Sequence, residues 1–278
     1  MSMNSFHARK SRPPPATRAT RHNTDHGGLL RADALLVERG LAASRSRAQA
    51  AIASGRVSAD GAMVTKASQL FSPDAQLSIA ADDSERFVSR GGLKLAGALA
   101  HTGLEATGLS CLDVGQSTGG FTDCLLQAGA ARVVGVEVGH GQIHPRLAAD
   151  ARCVTLEGVN ARELDAARLG RHMPKDGFHL IVCDASFISL TLLMSCWPAL
   201  LARHGQILAL VKPQFEVGPK GVGKGGIVRE TALYADVEAR LRAVATDCGL
   251  TVCDWFDSPI YGGDGNREFF LWMQHANH

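Results

Sequence analysis

Apolar positions along the chain follow two spacings, one in each part. Near the start they recur at helical intervals. The run Arg31-Ala-Asp-Ala-Leu-Leu-Val-Glu-Arg39 puts Leu35, Leu36 and Arg39 on one face and stops at Gly40, and Ser44 offers an N-cap for a second helix through Ala53. Arg56-Val-Ser-Ala-Asp-Gly-Ala-Met-Val64 then reads as a β-hairpin turning at Asp60-Gly61. Further on, short apolar runs at 110–114, 132–138, 178–183, 206–211, 250–256 and 268–273 read as strands. Helical stretches at 120–128, 189–202 and 229–247 separate them. Strands alternating with helices predict an α/β fold, a mostly parallel sheet covered on both faces. The last run follows Tyr261-Gly-Gly-Asp-Gly-Asn266, too short for a crossover helix, so its strand is predicted to run antiparallel.

Composition adds a division of labour. A chain of 278 residues with 45% hydrophobics sustains a sizeable core, and its formal charge is only +2. Residues 1–94 carry 14 Lys/Arg against 8 Asp/Glu, whereas 95–278 carry 15 against 19. A basic front on an acidic body points to a polyanionic partner, the alternative being a merely solvated surface. The expected divisions are a disordered basic tail at 1–28, a small α+β domain at 29–81, a linker at 82–88 and the large domain at 89–278. The tail has no apolar stretch that would make it a secretory signal, and no run approaches the length of a membrane span. Seven irregularly spaced cysteines predict free thiols in a reducing compartment, with no disulfide partner and no metal site.

The candidate chemistry centres on Cys111-Leu-Asp-Val-Gly-Gln-Ser-Thr-Gly-Gly-Phe121, a strand, a loop of small residues and a helix start. This is how backbone is brought close to a ligand. The dinucleotide fingerprint GxGxxG is absent, and a second apolar run ends in the carboxylate of Glu137. A methionine-plus-ribose ligand suits this loop better than a pyrophosphate, so S-adenosylmethionine is favoured over NAD. A ligand-free glycine turn is the bland alternative. The candidate contacts are Asp113, Gly115, Ser117, Thr118, Gly119, Gly120 and Phe121, with Glu137 and Val138, Asn160 and Ala161, and Asp184 from later strand ends. Glu137 is expected to accept from the ribose hydroxyls and Asn160 to meet the adenine.

Asp184 and Lys212 close apolar strands, Glu268 begins the reversed one, and Lys94 lies on the helix before the first strand. All are expected at the sheet edge that holds the cofactor. A ribose hydroxyl needs a base in line with the methyl. A lysine serves only when its amine is uncharged, a state that a neighbouring cation favours. This Lys-Asp-Lys-Glu set resembles that of FtsJ-like ribose 2′-O-methyltransferases. Residues 31–79 resemble the S-four-type (αL) RNA-binding domain through Arg31-x-Asp33, Ser44-Arg-Ser-Arg-Ala48, Ile52, Gly55-x-Val57 and Gly61.

Joined, these domains resemble the TlyA (hemolysin A) family of rRNA cytidine-2′-O-methyltransferases. Matching pieces include Val88-Ser-Arg-Gly-Gly-Leu-Lys94, Asp184-Ala-Ser-Phe-Ile-Ser-Leu190, Lys212-Pro-Gln-Phe-Glu216 and Lys224-Gly-Gly-Ile-Val-Arg229. The resemblance implies a Rossmann-like class I methyltransferase sheet and S-adenosylmethionine as cofactor. It implies Lys212 as base or its closest partner, with Lys94, Asp184 and Glu268 completing the catalytic set. It also implies ribosomal RNA or ribosomal subunits as partner, no membrane, a cytoplasmic place and a monomer or weak dimer. Arg31, Arg45, Arg47 and Arg90 are the expected RNA contacts. Family members often carry Asp at Glu137, Tyr at His140 and a tryptophan within 143–146. Two other classes remain open: an RNA-binding assembly factor with a silent methyltransferase fold, and a membrane-active hemolysin.

Overall fold

The computed structural model describes residues 28–80 and 86–276. The expected tail, apart from Gly28, and residues 82–85 of the expected linker lie outside them. The chain divides into two compact units, one ending at Ala81 and one starting at Asp82.

In the first unit, helices α1 (Ala32–Glu38) and α2 (Arg45–Ala53) pack on small sheets. Strand β1 (Leu30–Arg31) pairs with β4 (Leu70–Phe71). Strands β2 (Val57–Ala59), β3 (Ala62–Met63) and β5 (Leu77–Ile79) form the order β3-β2-β5. Ser44 caps α2 by accepting from the Arg47 N–H at 3.3 Å. Asp60 and Gly61 both have positive φ, 51° and 82°, which a two-residue hairpin of this hand requires. Ala32, Leu36, Ala48, Ile52 and Val57 make the core. Strands β1, β4 and β5 carry no sequence signal, since two or three residues are too few to show a period.

The second unit contains helices α3 (Gly91–Thr102), α4 (Gly120–Gln127), α5 (Pro145–Ala148), α6 (Ala166–Leu169) and α7 (Ala232–Asp247). Its strands are β6 (Ser110–Val114), β7 (Arg132–Glu137), β8 (Cys153–Glu157), β9 (Phe178–Cys183), β10 (Leu201–Val211), β11 (Leu250–Asp257) and β12 (Phe269–His275). They form one sheet in the order β11-β12-β10-β9-β6-β7-β8. Strands β6 to β10 are mutually parallel, and β12 runs antiparallel to both β10 and β11. Alternate residues enter opposite cores: Leu112, Ile181 and Ala209 pack with Trp197 and Leu241, whereas Cys111, Leu180 and Leu208 pack with Leu95 and Leu125.

The stretch 189–202, expected to be helical, is instead two 3₁₀ turns, Leu190–Leu192 and Met194–Cys196, leading into β10. Pro198 lacks an N–H, and its ring would clash with the carbonyl of Met194 in a continuing α-helix. The tighter turns bury Leu190, Leu193, Met194 and Trp197.

Candidate active site

Strand order reverses between β6 and β9, and a crevice forms at such a switch point beyond the carboxyl ends of the strands. Gly115 follows β6 with φ 83°; a Cβ there would lie 3.1 Å from the Asp184 carbonyl, so the two loops touch through backbone. Ser117, in the left-handed region at φ 48°, donates its N–H to Glu137 Oε2 at 2.9 Å. Gly139 N–H donates to the other oxygen at 2.8 Å. Glu137 thus pins the loop from the neighbouring strand. At Gly120 the start of α4 meets the start of α3, and a Cβ would reach 2.1 Å from Ser89 Oγ and 3.1 Å from the Gly92 nitrogen.

Beneath the loop lies a buried polar chain. Thr122 Oγ1 donates to Asp113 Oδ2 at 2.7 Å and accepts from Gln116 Nε2 at 2.9 Å. Asp113 is fully buried and its Oδ1 has no partner. Burial pushes its carboxyl up to about 7. The Thr122 hydroxyl opposes that rise, while the Asp184 and Glu137 carboxylates add to it. Gly135 pairs with Asp113 across the strands, and a Cβ there would stand 2.0 Å from Gln116. Strand β7 therefore needs glycine at that point.

The four charged residues meet as two ion pairs. Lys212, after β10, places Nζ 2.6 Å from Asp184 Oδ1 and donates to Ser186 Oγ at 2.8 Å. Lys94, on α3, places Nζ 2.5 Å from Glu268 Oε2. The second pair is the more enclosed, its carboxylate 3% exposed against 22% for Asp184. Burial raises the Glu268 carboxyl above its ordinary value, and Lys94 opposes this.

A cleft of about 570 Å³, open solvent included, is lined by Ser89, Arg90, Gly91, Lys94, Gly115, Gln116, Ser117, Thr118, Gly120, Phe121, Asp184 and Gly263. Lys212 and Glu268 join it through their partners. Of the expected cofactor contacts, Asp113, Gly119, Glu137, Val138, Asn160 and Ala161 lie outside this lining. Val138 is 70% exposed, and Asn160 Oδ1 accepts from the Arg162 N–H at 3.1 Å, capping a short turn. Arg90 donates to the Tyr261 carbonyl at 3.0 Å.

Some partners were missed in the sequence. Glu216 accepts from Ser189 Oγ at 2.7 Å and from the Leu190 N–H at 2.8 Å, anchoring the loop after Asp184. The motif Lys212-Pro-Gln-Phe-Glu216 contained that signal without its reason. Phe187 is 90% exposed with φ 62°, and its ring lies 5.1 Å from that of Phe215. In the first unit, Asp33 receives Arg31 Nε at 3.0 Å, Arg45 Nη2 at 3.1 Å and Gln49 Nε2 at 2.8 Å. Burial alone would raise Asp33; these donors outweigh it and hold the carboxyl at about 2. Two of the expected RNA contacts are thus oriented by one buried acid.

A doubly wound sheet with a reversed penultimate-position strand, a small-residue loop at its switch point and paired lysines and carboxylates defines a methyltransferase of the FtsJ-like kind. The FtsJ-like methyltransferase model matches residues 87–275 and the S4 domain model residues 30–77. The Mycobacterium tuberculosis protein named 16S/23S rRNA (cytidine-2′-O)-methyltransferase TlyA is 41% identical over 88% of this chain and 89% of its own length. Hemolysin A of Brachyspira hyodysenteriae is 36% identical over 86% and 98%. A solved Streptococcus thermophilus structure carrying the hemolysin name is 35% identical, covers 90% of both chains and superposes with a TM-score of 0.66. The chain belongs to the TlyA/hemolysin A family, which joins an S4 domain to an FtsJ-like methyltransferase domain.

The methyl donor of such enzymes is S-adenosylmethionine, and the residues fit it. Bare backbone at Gly115 and Gly120 lets the Asp184 segment and the start of α3 close on the loop and shape the cleft, the exposed apolar Val138 suits a base ring, and the orphaned Asp113 Oδ1 lies beneath the loop. Among the described residues no group of three or more metal-ligating side chains occurs, and no helix is long and apolar enough to cross a membrane.

Proposed function

We propose that this chain transfers the methyl group of S-adenosylmethionine to the 2′-hydroxyl of a cytidine ribose in ribosomal RNA. The observation that carries this reading is the pair of lysine–carboxylate contacts, Lys212–Asp184 and Lys94–Glu268, beside the loop at the switch point. When bound, S-adenosylmethionine supplies an electrophilic methyl carbon.

The loop 115–121 and Glu137 would hold the methionine and ribose portions, with Val138 and Asn160 beside the adenine. Lys212 is the base: its pair is the more open of the two, and Asp184 and Ser186 fix Nζ from two directions. To act so, Lys212 would take the proton of the 2′-hydroxyl in its neutral form, as the oxygen displaces the thioether sulfur from the methyl carbon. Lys94, held by Glu268, adds a fixed positive charge near the oxygen from which the proton leaves. Phe187 offers an aromatic face to the base of the same nucleotide, since stacking is how RNA readers hold an unpaired base. Arg31, Arg45, Arg47 and Arg90 supply phosphate contacts. The enzyme acts in the cytoplasm on ribosomal subunits, as a monomer or weak dimer.

The test uses S-adenosylmethionine labelled on its methyl carbon and ribosomal subunits from cells lacking the protein, followed by digestion to nucleosides. Label should appear in 2′-O-methylcytidine and disappear with Lys212→Ala, while RNA binding persists. Label on a methylated base would overturn the ribose assignment. Full transfer by Lys212→Ala would overturn the role of Lys212.

A further inference from the structure

We infer that the glycine-rich loop at residues 217–229 grips the phosphate backbone of the RNA strand that flanks the target ribose. This rests on the RNA substrate proposed above. The loop begins five residues after Lys212, at the same sheet edge as the two ion pairs, and holds Lys220, Lys224 and Arg229 without a carboxylate. All three cations are exposed. Five of its thirteen residues are glycine. At Gly225 and Gly226, φ is 81° and 79° and a Cβ would meet nothing within 4 Å, so the residue type there serves backbone shape and closeness of approach, not packing. Bare backbone beside point charges on flexible stems suits phosphate oxygens.

The loop is also anchored beside the chemistry. Asn266 is buried, accepts the Val228 N–H at 2.9 Å and donates to the Gly226 carbonyl at 2.9 Å. Tyr234 donates its hydroxyl to the Val228 carbonyl at 2.9 Å. Asn266 stands two residues before Glu268, and its side chain also donates to Asp264, which accepts from Gln214 beside Lys212. The loop end is thus fixed to both segments that carry the ion pairs. A strand whose 2′-oxygen reaches Lys212 carries a phosphodiester on either side of that ribose, and the loop that follows Lys212 in the chain offers the cations to meet one. Phosphate contacts position a nucleic acid without reading its sequence, so the loop sets where the strand lies while other groups select the nucleotide.

The experiment measures binding of an rRNA transcript to the full chain across a KCl series, with RNA KM and S-adenosylmethionine affinity alongside. For Lys220→Ala/Lys224→Ala, the slope of log K against log salt should fall by about 1.5, because each phosphate contact contributes about 0.7–0.9. KM for RNA should rise, affinity for S-adenosylmethionine should stay, and Lys220→Arg/Lys224→Arg should restore the slope. Methyl transfer to RNA with an unchanged slope and KM in the alanine variant would sink the loop inference alone. No methyl transfer by the wild type, with a slope that still falls in the variant, would sink the reaction and keep the loop.

Discussion

Asp113 gives the sharpest forecast. Its carboxyl is fully buried, one oxygen lacks a partner, and it titrates at about 7 instead of 3.8. A carboxyl whose folded value lies above its unfolded value makes the native state bind the extra proton between the two. The contribution of Asp113 to the stability of this unit is therefore complete below pH 3.8 and is lost as pH rises through the window up to about 7. The full loss is about 4 kcal/mol at 1.36 kcal/mol per pH unit, and about 3 kcal/mol of it falls between pH 5 and pH 8. Asp113→Asn removes the titration and keeps an acceptor for Thr122, at a cost of about 1–3 kcal/mol for a buried amide N–H without a partner. The variant should be less stable than wild type at pH 5 and gain about 3 kcal/mol on it by pH 8. Urea unfolding followed by tryptophan fluorescence reads this unit alone, since Trp197, Trp255 and Trp272 all belong to it. A stability difference identical at both pH values would refute the buried, protonated reading.

Glu216→Ala should destabilise the second unit by about 2 kcal/mol through loss of the acceptors for Ser189 and Leu190. It should lower kcat with S-adenosylmethionine affinity unchanged, as calorimetry and single-turnover kinetics would show. Gly120→Ala should press the start of α4 against Ser89 and the Gly92 backbone, destabilise by about 1–3 kcal/mol and weaken cofactor binding measured by calorimetry. Asp33→Asn should cost the first unit about 1 kcal/mol at neutral pH after solvent screening at Arg31 and Arg45. That deficit should vanish as pH falls through the window from 3.8 to about 2, followed by hydrogen exchange of α2 amides. Phe187→Gly should relieve about 1 kcal/mol of left-handed backbone strain while lowering kcat/KM for RNA; unchanged kinetics would remove the aromatic from substrate binding.

Where a physical constraint is local, the sequence displays it. Asp60-Gly61 can make only a tight turn, Ser44 caps the helix it precedes, and the Gly115 to Gly120 loop follows an apolar strand. Those features correspond to the hairpin, to α2 and to the loop at the switch point. Long-range conditions are less visible. The stretch 189–202 has helical apolar spacing, but Pro198 and burial of Trp197 select 3₁₀ turns. Arg31 and Arg45 read in the sequence as RNA contacts, but nothing there shows that Asp33, twelve residues before Arg45, holds both guanidiniums. Which lysine pairs with which carboxylate is a property of the sheet order alone. The placement of β9 and β10 side by side joins Lys212 to Asp184, and the return of β12 beside β10 sets Glu268 opposite α3.

Backbone strain supports the same site independently of charge. Among the described residues only Asp60, Ser117 and Phe187 are non-glycine residues with positive φ. Asp60 is accounted for by its hairpin turn. Ser117 follows β6 and Phe187 follows β9, neighbouring strands on either side of the switch point. Left-handed backbone costs an L-residue about 1–2 kcal/mol, so each must be held by surrounding bonds. Ser117 is held by Glu137 and by Gln142, whose Oε1 accepts its hydroxyl at 3.1 Å. The loop of Phe187 is held through Ser189 and Leu190 by Glu216, which Arg240 in turn contacts at 3.3 Å. Neither strained residue fills the core: Ser117 sits in the cleft wall and Phe187 stands in solvent. Core burial therefore offers no return for the strain, and Phe187 keeps only its ring contact with Phe215. Both strained loops instead flank the switch point, with the Lys212–Asp184 pair beside them.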